Sequence, residues 1–415
     1  MLCYNISINK ENSEGAHMKI LIEFYDMDEP LLNLISALVL RPDIVVFMGN
    51  EKIRKQKYQR PLQKALNIAG IHAELKFVPV RMQDYQMVFE CMESVLDQYV
   101  QDHCIIDVVG GNDLLLLAAG QCCADRDIDI INHRIGENSL IWLRGKNAGN
   151  KMSYDIHMDV SQAITLAGGE LLRHGHVNPK DLDAGLLNTI LNVFNVYNRN
   201  RHKWPYFVKY LQQLGNPDYW VTDETDIRAP KRIFCGGQAL YVDLGILSEL
   251  AEAGAIEDIR VNSTECAFRF TSGTLEAYLK DVGIWLELYL YAMMLKSKQF
   301  DSVEINAVVS WDDDDEKTDT INEIDLIATK DTGKIFISCK TAIPDNAALN
   351  EIATLTRRFG GKYARAALAT MCDLKTEAPA VFRRAIEMGI SVIDADDLFG
   401  DALMNRLESI CPSWN

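Results

Sequence analysis

Residues 322–340 read NEIDLIATKDTGKIFISCK. Two apolar runs flank the turn-forming group Lys330-Asp331-Thr332-Gly333, which predicts a hairpin of strands Asn322–Thr329 and Lys334–Lys340. With the turn centred between Asp331 and Thr332, a regular register sets Asp325 opposite Ser338. Lys340 then lies two residues further along the same face, and Glu323 shares that face. One edge of the hairpin thus presents two acids and a lysine to a common point. Outward from it, the pattern predicts a long helix over Leu275–Lys296 and a strand over Ser302–Ser310. On the far side come a helix over Ala347–Phe359 and a strand over Ala364–Thr370. The order is helix, three strands, helix, strand.

Acids and a lysine in that relation are what phosphodiester hydrolysis requires. Carboxylates hold Mg²⁺ or Mn²⁺, the ion activates water, and the lysine meets the charged phosphate. Glu287 supplies a further acid. Its helical neighbours Gly283, Ile284, Leu290 and Tyr291 are apolar or small, so its carboxylate needs a metal or a basic partner unless it sits at a helix end near the surface. Arg357, Arg358, Lys362 and Arg365 form a basic cluster around Gly360-Gly361 and are candidates for gripping a nucleic-acid backbone. The alternative is a solvated helix end. The acidic run Trp311–Lys317 (WDDDDEK) reads as a solvated loop and is assigned no role.

The N-terminal part alternates strand and helix. Lys19–Phe24, Asp43–Met48, His72–Val80 and Cys104–Val109 read as continuous apolar strands, with helices over Glu29–Leu40, from Glu51 and over Gln83–Val100. Short strands follow at Asp127–Asn132 and Ser139–Arg144. This is the pattern of a doubly wound parallel sheet. Ligands bind such sheets at the carboxyl ends of the strands, next to helix N-termini. The loops there are Tyr25–Glu29, Gly49–Lys52 and Gly110–Asp113. No G-x-G-x-x-G and no Walker lysine occur, which argues against a dinucleotide oxidoreductase or a P-loop ATPase.

Residues 206–280 read as a small winged helix, with a helix at Leu244–Glu252 and a strand at Cys266–Thr271. A chain of 415 residues implies two or three domains. Its net charge of −17 argues against a broad nucleic-acid-coating surface but not against a local basic cleft. Residues 1–17 are polar and lack an apolar core, so no secretory signal is read there, and Met18 is expected to be the natural start. The ten cysteines form no C-x-x-C pair. Together these predict a cytoplasmic protein in a reducing compartment, without a membrane span.

The C-terminal segment resembles the PD-(D/E)xK restriction-endonuclease-like nucleases. The resemblance places the family's metal-binding aspartate on Asp325, its lysine on Lys340 and its helix glutamate on Glu287. Where the family usually carries an acid, this chain has Ser338. The implied metal shell is therefore Glu287, Asp325 and the Cys339 main-chain carbonyl, with Ser338 or Glu323 as alternatives. The N-terminal arrangement resembles the CRISPR-associated Rossmann fold (CARF) domain, whose glycine pair matches Gly110-Gly111. Asn112-Asp113 stand where many members have Thr and Lys.

The whole chain resembles the single-CARF nuclease effectors of type III CRISPR defence. That implies an α/β protein with a CARF-like sensing domain at 18–150, a helical and winged-helix-like linker at 151–274 and a nuclease domain at 275–415. It also implies a homodimer activated by a cyclic oligoadenylate, with cyclic tetra-adenylate the first choice. The activator would be held by Tyr25, Asp26, Met27, Glu29, Gly49, Asn50, Lys52, Gly110, Gly111, Asn112 and Asp113. The expected cofactor is Mn²⁺ or Mg²⁺, and the expected substrates are single-stranded RNA and DNA or duplex DNA that is nicked. The competing reading is a ligand-responsive winged-helix transcription regulator without nuclease activity.

Overall fold

The computed structural model describes residues 17–134, 137–214, 226–311, 321–361 and 363–410. The first sheet has strands β1 (Lys19–Phe24), β2 (Ile44–Gly49), β3 (Glu74–Pro79), β4 (His103–Asp107), β5 (Asp129–Arg134), β6 (Ser139–Arg144) and β7 (Lys151–Ser153). Five of them are parallel in the order β3-β2-β1-β4-β5, and β6 and β7 extend one edge antiparallel. Every residue of β2 is buried, because helices cover both faces of the sheet. Helix Leu32–Leu40 packs on one side, and helices Tyr85–Gln98 and Asp113–Cys122 on the other. This explains why the strands read as continuous apolar runs rather than alternating ones. The strand order reverses between β1 and β4, the place at which open parallel sheets commonly bind ligands.

Strand β8 (Gly169–His174) falls inside the stretch expected to be linker, yet it joins a different sheet, described below. Between the two sheets in sequence come helices Ala184–Asn200, Trp204–Gln213 and Leu244–Glu252, which share a core with the second sheet. With them are β9 (Asp226–Pro230), a hairpin of β10 (Arg232–Cys235) and β11 (Gln238–Tyr241), and β12 (Ile256–Val261) and β13 (Glu265–Phe270). Strands β12, β13 and β9 form a small antiparallel sheet, a winged-helix-like arrangement.

The second sheet adds β14 (Ser302–Trp311), β15 (Ile321–Lys330), β16 (Gly333–Lys340), β17 (Arg365–Thr370) and β18 (Ile390–Ile393) in the order β18-β17-β16-β15-β14-β8. A mixed α/β layer results, with helix Trp285–Ser297 on one face and helix Asn346–Leu355 on the other. The Phe194 and Tyr289 rings stack at 3.9 Å between centroids and join the middle segment to the core of the second sheet.

The long helix expected over Leu275–Lys296 is two helices, Gly273–Leu279 and Trp285–Ser297. The break has a local cause. The Asp281 carboxylate accepts from the backbone N–H groups of Gly283 at 2.8 Å and Ile284 at 3.3 Å, an aspartate capping turn that competes with helix continuation. Among the described residues no helix is long and apolar enough to cross a membrane, and no cysteine forms a disulfide.

Candidate active site

The hairpin register is the regular one. Leu326 pairs with Ile337, Ile327 with Phe336 and Ala328 with Ile335, and the Asp325 carboxylate comes to rest beside Ser338. Its Oδ2 accepts from the Cys339 backbone N–H at 2.6 Å and from the Ser338 hydroxyl at 3.3 Å. The Lys340 ammonium lies 3.7 Å from the same oxygen. Ser338 therefore acts toward Asp325 as a hydrogen-bond donor. Burial pushes the Cys339 thiol far above its ordinary value, and Asp325 and Glu287 add to the effect.

The break at Asp281 sets Glu287 in the first turn of helix Trp285–Ser297, where the helix dipole favours a carboxylate. Its Oε2 accepts from the Asn306 side-chain amide at 2.6 Å. Burial and the nearby Asp325 charge nevertheless push Glu287 up to about 8, against the opposing pull of Asn306 and Lys340. Glu287, Asp325 and Lys340 thus sense one another although 53 residues separate the first from the last. Two crowded carboxylates, one of them with its pKa raised by burial and by the other, are a donor set that suits a divalent cation.

Two further residues surround this point and were not singled out from the sequence. Asn306 is 3 % exposed with φ of 47°. Its backbone carbonyl accepts from Gly175 at 2.7 Å and its side-chain oxygen from Val177 at 3.1 Å. It interrupts the regular pairing between Ile305↔Leu326 and Ala307↔Ile324, so its amide turns to Glu287 instead of following the strand. Only the rarity of an asparagine within an apolar strand marked it. Glu351, on helix Asn346–Leu355, lines the cleft with Glu323, Asp325, Ser338 and Lys340.

The expected basic grip lies elsewhere. Arg365 begins β17 opposite Ile335, whereas Lys340 pairs with Thr370 at the other end. Arg357 and Arg358 line a cavity against Met27, Asp28, Pro30 and Leu31 of the N-terminal domain, and Arg358 donates to the Ala167 carbonyl at 2.8 Å. The structure therefore separates these arginines from the acids they were expected to accompany. Lys362 lies outside the described residues, as do residues 312–317 of the acidic run.

At the carboxyl ends of the first sheet's strands, Gly110 has φ of +81°, and a Cβ there would come within 2.5 Å of the Phe24 carbonyl and 2.9 Å of Asp26 Cβ. Here the glycine is required both for its backbone conformation and for close approach to β1; Gly111 packs as tightly on the Phe24 ring. Asn112 caps helix Asp113–Cys122 by accepting from Leu115 at 3.0 Å, and Asn50 caps the short turn Glu51–Arg54 by accepting from Lys52 at 2.9 Å. Asn33 holds the first loop by accepting from the Asp26 N–H at 2.8 Å and donating to the Phe24 carbonyl at 2.8 Å. Asp113 and Lys52 are exposed at the rim, Gly49 and Tyr25 are buried, and Met27 is half-buried. Glu29 is buried too, and it faces Lys334 of β16 rather than the rim.

A second group of ligand-type side chains, Asp155, His157 and Asp331, has its ligand atoms within 4.8 Å of one another. It lies at the turn end of the hairpin, roughly 20 Å along the strand from Asp325 at ordinary strand rise. His157 Nε2 is 3.0 Å from Asp155, and Nδ1 is 2.9 Å from Asp301 and 3.6 Å from Asp331. A protonated ring satisfies these carboxylates as an ion-pair network.

Residues 276–409 match the family described as Card1-like, endonuclease domain. Across the chain, the fold is similar to that of protein VC1899 from Vibrio cholerae, with a TM-score of 0.72 and 17% identity over 95% of this chain and 98% of that one. It is also similar to Can2 from Sulfobacillus thermosulfidooxidans, solved in complex with cyclic tetra-adenylate. There the TM-score is 0.63 and the identity 17%, over 95% of this chain and 97% of that one. No curated protein matches the chain in sequence. With its parallel N-terminal sheet and an endonuclease match around Glu287, Asp325 and Lys340, the chain resembles the CARF-domain PD-(D/E)xK nuclease effectors.

Proposed function

We propose that this chain is a metal-dependent endonuclease, switched on by a cyclic oligoadenylate bound in the sensor crevice and acting as a homodimer. The observation that carries the reading is the convergence of Glu287, Asp325 and Lys340 at one end of the β15–β16 hairpin, inside the endonuclease match. Can2 was solved with cyclic tetra-adenylate, which makes that ring the first activator to test.

Glu287 and Asp325 would hold the cation, with the Cys339 carbonyl as a third donor and Glu323 or Glu351 near enough to the cleft to complete the shell. A bound Mn²⁺ or Mg²⁺ supplies charge neutralisation at the phosphate and acidifies water. Asn306 fixes the Glu287 carboxylate through its amide, and the Cys339 N–H and Ser338 hydroxyl orient Asp325. Lys340 is partly exposed and keeps its ammonium at the mouth of the cleft, where it meets a phosphate oxygen. In the sensor, the cap at Asn112 sets a helix N-terminus at the carboxyl ends of the strands, a setting that favours phosphate. Gating then requires that the nucleotide bind the active arrangement more tightly than the resting one.

The test is cleavage of labelled single-stranded RNA and DNA with Mn²⁺, with and without cyclic tetra-adenylate. Cleavage that needs both, and that EDTA abolishes, is the expected result. Salt-sensitive binding of a specific duplex without any cleavage would replace this reading by that of a ligand-responsive regulator.

A further inference from the structure

Sensor and nuclease sheet meet through an ion pair removed from water. Glu29 Oε1 lies 3.4 Å from Nζ of Lys334 on β16, and the two side chains are 3% and 6% exposed. Gly361 closes the other side of the carboxylate. Its φ is +77°, and a Cβ there would overlap both Glu29 and the Asp28 carbonyl. At its neighbour Gly360 a Cβ would overlap Ala364 and touch the Phe336 ring too closely.

Each contact has a continuation. Toward the crevice, the Glu29 N–H donates to the Asp26 carbonyl at 3.3 Å. Asp26 is held by Asn33 and lies under Gly110. A shift of Asp26 is therefore carried to Glu29 through one tight turn. Toward the nuclease site, alternate residues of a strand share a face, so Lys334, Phe336, Ser338 and Lys340 form one row along β16. The row begins at Glu29 and ends at Asp325, spanning roughly 20 Å. A charge pair buried at a seam resists gradual separation, because pulling it apart leaves the Lys334 ammonium desolvated and without its carboxylate. Such a contact responds to motion in steps.

We infer that Glu29 and Lys334 are positioning residues of the nuclease hairpin, which pass the state of the crevice loop along β16 to Ser338 and Lys340. The inference rests on the gating proposed above and names the route by which that gating reaches the nuclease site.

The measurement is the ratio of cleavage rates with and without cyclic tetra-adenylate, on the full chain with Mn²⁺. Glu29→Gln/Lys334→Met removes both charges and leaves neither unmatched. Its ratio is expected to fall about tenfold, within the usual range of coupling between sites, while calorimetry still detects nucleotide binding. Gly361→Ala pushes on the carboxylate from the opposite side and lowers the ratio as well. The reversed pair, Glu29→Lys/Lys334→Glu, recovers part of it, which a loss of folding alone does not explain. An activated wild type with equally activated variants overturns the inference alone. A wild type that binds and cuts without responding to the nucleotide overturns the gating and the inference together.

Discussion

The Asn306 side-chain amide donates to the Glu287 carboxylate across 2.6 Å, joining an irregular point of β14 to the first turn of helix Trp285–Ser297. The same asparagine holds the Gly175–Val177 backbone, so one buried residue ties the end of β8, the sheet and the helix acid together. Residues that orient a metal ligand typically govern affinity by 10–100-fold. Asn306→Ala is therefore expected to weaken Mn²⁺ binding by about that factor, measured by calorimetry on the full chain, with a parallel fall in cleavage rate at fixed metal. Unchanged affinity would separate Glu287 from the metal site.

Lys340→Ala removes the ammonium 3.7 Å from Asp325 and leaves the sensor untouched. Cleavage should drop on the order of 10²–10³-fold, as when one charge-stabilising donor is lost, with nucleotide affinity retained. Residual cutting at the wild-type rate after repurification would show that the reacting centre is elsewhere.

Glu29→Gln alone leaves the buried Lys334 ammonium without its carboxylate. Breaking a buried pair from one side typically costs about 3–5 kcal/mol, whereas replacing both partners is far milder. The single variant should melt well below the double variant Glu29→Gln/Lys334→Met in thermal unfolding. Equal melting temperatures would mean that Lys334 reaches water when Glu29 is lost.

Gly110→Ala forces a side chain into a left-handed position and toward the Phe24 carbonyl. Strain of this kind costs about 1–3 kcal/mol, and the displaced atoms belong to the crevice loop. We expect a lower melting temperature together with weakened cyclic tetra-adenylate binding. Gly70→Ala, also at positive φ but with no neighbour within 4 Å, is the control for backbone strain alone.

His157 supplies the pH dependence. Burial works against its charged form, but Asp301, with Asp155 and Asp331, outweighs burial and raises its pKa. A raised value means that the network's stabilisation is fully present below about 6.5, the ordinary histidine pKa. It is lost as pH rises through the raised value. The difference in melting temperature between wild type and His157→Gln should be largest below pH 6.5 and should shrink in alkaline buffer. A difference that grows with pH would contradict the network.

Much of the architecture was legible because it depends on neighbours in sequence. Helix Leu244–Glu252 falls where its apolar spacing and the following Gly254 put it. The Lys330–Gly333 turn sets the hairpin register, which in turn brings Asp325 to Ser338 and Lys340. The Asp281 capping turn was also local. It was overlooked because Val282 and Ile284 continue the apolar pattern across it, and the cost was the position of Glu287 on its helix.

By itself the sequence determined periodicity, turn chemistry and register, since these follow from forces acting over a few residues. Only the tertiary structure decided which distant groups share a dry space. β8 crosses from the expected linker into the nuclease sheet, Asn306 meets Glu287, the Arg357–Arg358 pair turns to the sensor, and Glu29 reaches Lys334 across 305 residues. Charged residues are read from sequence as solvated, because that is their cheapest state. Nothing local announces the partner that makes burial affordable, so the seam between sensor and nuclease became visible only once the chain was folded.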